Sequence, residues 1–177
     1  MISYRKGSIL EPVETGKLML CHGCNDLGFG SAGVIVAIKE RYPIVYDCYE
    51  GWFQHGSYWY TPSNCTVKAR IGEIQIIPVK YIYSAVCNAI TQRGVGRDRW
   101  GYIPFRYESF RECMCKLNDY MVSNEYDRLI IPRIGAGLAG ASWKTVEKII
   151  NKTITIPVTV YDREEDNWPN TIYEEGN

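Results

Sequence analysis

Asn25-Asp26-Leu27-Gly28-Phe29-Gly30-Ser31-Ala32-Gly33 and Pro132-Arg133-Ile134-Gly135-Ala136-Gly137-Leu138-Ala139-Gly140 decide how this chain is read. Each follows a short apolar run, Lys17–His22 for the first and Arg128–Pro132 for the second. Each precedes a stretch of helical character: 33–41, which stops before Pro43, and a segment carrying Val146, Ile149 and Ile150 with Ser142 at its N-cap position. Buried strand, glycine-rich loop, helix is therefore written twice. Such a loop suits an anion. Glycine lets backbone N–H groups approach phosphate oxygens, and the helix N-terminus adds favourable dipole charge. Neither loop fits GxxxxGK[ST], since Gly33 is followed by Val34 and Gly140 by Ala141, so a Walker site is not indicated. Two loops side by side would suit a diphosphate.

Outward from the loops, strands and helices keep alternating. Residues 73–79 and 81–90 read as two strands across a short turn. From Tyr102 onward a helix is predicted, with Tyr107, Phe110, Met114, Leu117 and Met121 in one apolar stripe. Residues 154–161 are expected to close the sheet. Residues 42–66, rich in Tyr and Trp with Gly51 and Gly56, read as irregular and partly buried. The pattern is that of an α/β domain with a mixed sheet.

Composition bounds the function. The chain has 177 residues, 46% hydrophobic and 23% charged, enough to bury a core in one domain. Twenty Lys and Arg balance twenty Asp and Glu, so the global charge excess of a nucleic-acid binder is missing. No apolar run is long enough to span a membrane, and the first residues lack a signal-peptide pattern, which points to a cytoplasmic protein with no membrane partner. The seven Cys read as free thiols, because neither Cys21/Cys24 around His22 nor Cys113/Cys115 has the spacing of a structural zinc site. No metal and no cofactor is expected. From Asp162 the chain is acidic, and residues 163–177 read as a tail, a surface appendage or frayed end.

Asn25–Val34 resembles the first ligand loop of the macro domain family, and Pro132–Gly140 with Trp143, Val146 and Glu147 resembles its phosphate loop and the helix behind. Gly7-Ser8-Ile9 stands where that family often has Gly-Asp-Ile; Gly72–Val79 and Ala85–Gln92 are similar to its central strands, and Val158–Tyr161 to its last one. The resemblance covers residues 2–162. It implies a three-layer α/β/α domain around a mixed sheet, over residues 1–162, that binds ADP-ribose. The implied pose puts Ser8 and Ile9 near the adenine. Ser31, Ala32, Gly33 and Val34 lie on one side of the diphosphate; Ile134, Gly135, Ala136, Gly137, Leu138 and Ala139 lie on the other. Asn25 is on the distal ribose, and Tyr161 flanks the base or is a core aromatic.

The pattern His22-x-x-Asn25 resembles the branch of ADP-ribose 1″-phosphate phosphatases. That resemblance implies release of phosphate, with His22, Asn25 and Asp26 as catalytic candidates. His22 reads either as acid/base or nucleophile, or as a buried structural group; Asn25 and Asp26 also fit turn capping. Ester-hydrolysing members use a lysine and an aspartate at places held here by Thr91 and Ala139, which counts against that chemistry. Hydrolysis of ADP-ribosyl esters and non-catalytic reading of ADP-ribose, free or on ADP-ribosylated proteins, remain open. Arg93, Arg97 and Arg99 follow a central strand and are suited to a terminal phosphate or form a solvated loop. His55 reads as a surface residue.

Overall fold

The computed structural model describes residues 1–55 and 67–174. Its elements run β1 (Ile2–Lys6), β2 (Leu18–Asn25), α1 (Val34–Arg41), α2 (Pro43–His55), β3 (Ile74–Pro78), β4 (Ala85–Gln92), α3 (Tyr107–Ser123), β5 (Arg128–Ile131), α4 (Trp143–Thr153) and β6 (Val158–Asp162). One six-stranded sheet has the order β1-β6-β5-β2-β4-β3, parallel throughout except for the β3–β4 pair. Helices α1 and α2 cover one face and α3 and α4 the other, which is the expected three-layer α/β/α arrangement with a mixed sheet.

β2 is a near-continuous apolar run because both its faces are covered. Met19 and Cys21 meet Phe110, Met114 and Leu117; Leu18 and Leu20 meet Ile38, Val45 and Cys48. Each such side chain contributes about 1.5–3 kcal/mol when fully buried. Cys21, Cys24, Cys48, Cys87 and Cys113 are buried, and they serve as small hydrophobes. Cys65 lies outside the described residues.

Several expectations need correction. The stretch from 42 is not irregular: it is helical from Pro43 to His55, with Val45, Tyr46, Cys48, Tyr49 and Trp52 buried. Those positions recur at steps of three and four, and proline suits the first helical position; aromatic richness and Gly51 masked that period. The rest of the stretch, 56–66, lies outside the described residues. α3 starts at Tyr107 rather than Tyr102, because Ile103 precedes Pro104 and is biased to extended backbone. β6 does not close the sheet. It lies between β5 and β1, and β1 is the edge. β1 escaped notice because it has only two inward apolar positions, Ile2 and Tyr4.

The acidic tail is no frayed end as far as Glu174. Its backbone N–H at Glu174 donates to the Tyr4 carbonyl at 2.8 Å, and the Tyr173 hydroxyl donates to Asp162 Oδ2 at 2.9 Å. Residues 175–177 lie outside the described residues. No helix among the described residues is long and apolar enough to cross a membrane.

Topology places the site. β2 leaves through α1 and α2 towards β3 and β4, while its neighbour β5 leaves through α4 towards β6. Outgoing connections therefore part in opposite directions between β2 and β5, and a crevice opens beyond their C-terminal ends. The loops on either side of it are the two glycine-rich stretches.

Candidate functional site

The first loop is shaped from below. A register shift between Cys24 and Asn25 pairs Cys24 with Ile90 and Asn25 with Gln92, which turns the chain off the sheet. Asn25 then organises the turn. Its Oδ1 accepts from the Leu27 N–H at 2.9 Å and from the Tyr49 hydroxyl at 2.8 Å, and its Nδ2 donates to the Phe29 carbonyl at 2.7 Å. Gly28 has φ +76°, and a Cβ there would stand 2.7 Å from Phe53 Cβ. Tyr46, Tyr49 and Phe53 of α2 thus form the bed of the loop. Its far end is open: Ser31, Ala32 and Gly33 are exposed, and no atom lies within 4 Å of a Cβ built on Gly33.

The second loop turns on Gly135, whose φ is +80° and whose missing Cβ would stand 2.5 Å from the Phe105 ring. N–H bonds from Ala136 to the Arg133 carbonyl (3.1 Å), Gly140 to Gly137 (3.0 Å) and Ala141 to Gly135 (2.8 Å) close it. Gly137 and Leu138 form the tip, and Leu138 is 83% exposed. Ile134 and Ala139 face inward and are buried. At the start of the loop, Arg133 meets Asp162 through two bonds of 2.7 Å.

Both loops end at a helix start without a side-chain cap. Gly33 has no side chain to supply one, and Ser142, although at the expected N-cap position of α4, makes no cap bond. The first N–H groups of a helix have no intrahelical acceptor, and the dipole there is positive. Two uncapped helix starts therefore flank the crevice, which is an arrangement for a doubly anionic ligand.

The other candidates fall in distinct places. His22 is fully buried on the α1/α2 side, with Nε2 2.6 Å from Asn88 Oδ1. Asn88 Nδ2 donates to the Val45 carbonyl and to Gln75 Oε1, and Gln75 Nε2 donates to the Cys48 carbonyl at 2.9 Å. Asn88 Oδ1 is therefore the acceptor and His22 Nε2 carries the proton, as assigned from this network. Burial lowers the imidazole pKa to about 4 against the opposing pull of the Asn88 bond. His22 is a neutral link in a chain that seats α2 on the sheet.

Asp26 is half-buried and faces the β4–α3 loop, accepting from the Gly94 N–H at 2.7 Å, with Arg93 Nε 4.0 Å away. In that loop Arg93, Arg97 and Arg99 are exposed. Arg97 Nη1 donates to the Gly101 carbonyl at 2.7 Å, and Arg99 stacks on Trp100 with 3.9 Å to the ring centroid. Ser8 is exposed, and its Oγ accepts from the Leu10 N–H at 3.3 Å; Ile9 is half-buried, and its carbonyl takes the Tyr83 hydroxyl. Tyr161 is only 5% exposed. Its hydroxyl donates to Glu14 Oε2 at 2.7 Å and accepts from the Val13 N–H, and its ring belongs to the core on the α1/α2 face of the sheet. His55, at the end of α2, is exposed.

The sequence reading missed two supports of the site. Tyr49 and Phe53 had a signal, the three–four period of α2. The Arg133–Asp162 pair had none, since its members are 29 residues apart.

No protein-family profile matches the chain. A phage relative, the uncharacterized 17.5 kDa protein in the tk-vs intergenic region of Enterobacteria phage T4, is 25% identical over 155 residues, covering 85% of this chain and 88% of that one. Among solved structures, a macrodomain protein from Streptomyces coelicolor is 32% identical, with a TM-score of 0.72 over 92% of this chain and 99% of its own. A DarTG protein of Thermosipho africanus, solved in complex with ADP-ribose, shares the fold with a TM-score of 0.67 at 15% identity, over 86% of this chain and 39% of its own.

Proposed function

Since this chain belongs to the macrodomain family, we propose that its crevice binds ADP-ribose or an ADP-ribosyl group, with the diphosphate between the two glycine-rich loops. The observation that carries this reading is the pair of uncapped helix starts, α1 and α4, at the switch point of the sheet. Backbone N–H groups of residues 31–34 face one side of the diphosphate, and those of Gly137, Leu138 and Ala139 at the tip of the second loop face the other. Asn25 keeps one Nδ2 proton beyond the bond to Phe29, which suits a distal ribose hydroxyl. The Arg93–Arg99 loop lies beyond that end. Such a site fits recognition of free ADP-ribose derivatives or of ADP-ribosylated proteins.

Phosphate release from ADP-ribose 1″-phosphate needs a group that activates water at the distal end. We assign no such role to His22: at 0% exposure, and with its pKa held near 4, it neither reaches a substrate nor stores a proton at neutral pH. The geometry therefore favours a reader over a histidine phosphatase. Hydrolysis is the second reading, and what favours it is Asp26, a half-buried carboxylate between the first loop and Arg93.

Gly137 offers a clean test of the pose. Its φ is not positive and nothing stands within 4 Å of a Cβ built on it, so Gly137→Val has no internal clash. The variant should fold as the parent does and bind ADP-ribose at least ~10-fold more weakly, a loss of about 1.4 kcal/mol, by calorimetry. Equal affinity in the folded variant would remove the diphosphate from this loop. Incubation with ADP-ribose 1″-phosphate and with an ADP-ribosylated glutamate peptide separates the two readings. Turnover abolished by Asp26→Asn, with ADP-ribose affinity kept, would establish hydrolysis; absence of turnover leaves the reader.

A further inference from the structure

Arg133 is the last residue before the second loop turns, and its guanidinium sits in a cage built mostly by distant parts of the chain. Its side chain is 6% exposed and that of Asp162 is 1% exposed. Three aromatic rings surround the guanidinium carbon, with centroids at 4.9 Å for Tyr4, 5.1 Å for Trp143 and 4.4 Å for Trp168. Thr171 Oγ1 accepts a further bond from Arg133 Nη2 at 2.9 Å, and the Tyr173 hydroxyl donates to the other side of the ion pair, at Asp162 Oδ2. Three of these partners, Trp168, Thr171 and Tyr173, come from the acidic segment after β6. That segment is itself tied down along β1 by the Glu174–Tyr4 backbone bond, the Arg5–Glu174 ion pair at 3.3 Å and Lys6 Nζ on the Glu164 carbonyl at 3.2 Å.

We propose that residues 163–174 are a strap that sets the second ligand loop through Arg133, so that the affinity of the crevice is governed from outside it; the affinity arm of this proposal rests on the ADP-ribose reading above. The main chain of Arg133 is part of the loop, because its carbonyl takes the Ala136 N–H that forms the first turn. A guanidinium held by a two-pronged carboxylate and by ring faces has one position, which fixes the backbone that carries it. Removing the Trp168 face and the Thr171 acceptor frees the side chain on its tail side and leaves Asp162 in place. The loop then samples conformations in which its N–H groups no longer converge. Arg133 is a positioning residue here: its side chain is spent on Asp162, Thr171 and the three rings.

Trp168→Ala and the milder Thr171→Val test this in the full chain. Amide hydrogen exchange is followed by mass spectrometry for peptides covering 134–141 and, as an internal reference, 26–34. The strap predicts exchange in 134–141 faster by about tenfold in Trp168→Ala and by less in Thr171→Val, with 26–34 unchanged, because one cation–π face and one hydrogen bond are of that order. ADP-ribose affinity should fall in the same order. A lowered melting temperature with exchange in 134–141 and affinity both as in the parent would overturn the strap and leave the tail a general brace. Failure of ADP-ribose to bind the parent protein would sink the proposed ligand instead, and the exchange measurement would still decide the strap.

Discussion

The two loops that face the crevice, proposed to hold one diphosphate between them, are built by opposite means. The first rests on neutral packing: α2 puts Tyr46, Tyr49 and Phe53 beneath it, and Asn25 ties the turn together with three side-chain hydrogen bonds. The second is held from the side by a charge, the Arg133–Asp162 pair inside an aromatic cage. The bed of the first loop is seated on the sheet by the His22–Asn88–Gln75 chain, whereas the cage around the second is completed by the segment after β6. Presenting backbone N–H groups to an anion thus demands a rigid turn and leaves open how the rigidity is obtained.

The largest expected effect falls on the second loop. Asp162→Ala strands a buried guanidinium, and removing one partner of such a pair typically costs about 3–5 kcal/mol. Urea unfolding should show a loss of that size. A loss under about 1 kcal/mol would mean that the three rings alone hold the charge, and the contrast between the loops would shrink.

Acid should act on the support of the first loop. The pKa of His22 is lowered to about 4 in the folded protein from an ordinary 6.5. The unfolded chain therefore takes up a proton that the folded one refuses. The stability tied to His22 is present in full above about pH 6.5 and is lost as pH falls towards 4, by about 3 kcal/mol in total. His22→Gln should flatten that part of the stability–pH curve. An unchanged slope between pH 6.5 and 4 in the variant would place the acid sensitivity elsewhere.

Asn25→Ala removes the tie of the first turn and leaves the Phe29 carbonyl without its partner. A cost of about 1–3 kcal/mol is expected, with weaker ADP-ribose binding. Stability intact together with full affinity would show that the aromatic bed alone shapes the loop. The smallest effect concerns α4. A serine at an N-cap position ordinarily contributes about 0.5–2 kcal/mol, but Ser142 makes no cap bond here. Ser142→Ala should be neutral to within about 0.5 kcal/mol by thermal melting. A loss above about 1 kcal/mol would reveal a cap bond and weaken the case for an anion-accepting helix start.

Much of this architecture follows from neighbours in sequence. Leu18–His22 and Arg128–Ile131 are apolar runs that must be covered on both faces. Gly28, Gly33, Gly135 and Gly140 supply the positive φ that their turns require. The stripe Phe110, Met114, Leu117, Met121 can only be a buried helix face. Strand, loop and helix are local periodicities, so both loops and the α/β class are legible without a structure. What each polar side chain does is set by its surroundings, and these come from far along the chain. His22 looks the same in sequence whether it faces a ligand or Asn88, 66 residues away. Tyr161 at a strand end fits a nucleobase as well as it fits Glu14, 147 residues away. Arg133 finds its cage only after β1, α4, β6 and the acidic tail have come together. Hydrogen-bond and ion-pair partners are chosen by proximity in space, and the desolvation that makes those choices costly arises only once the layers are packed.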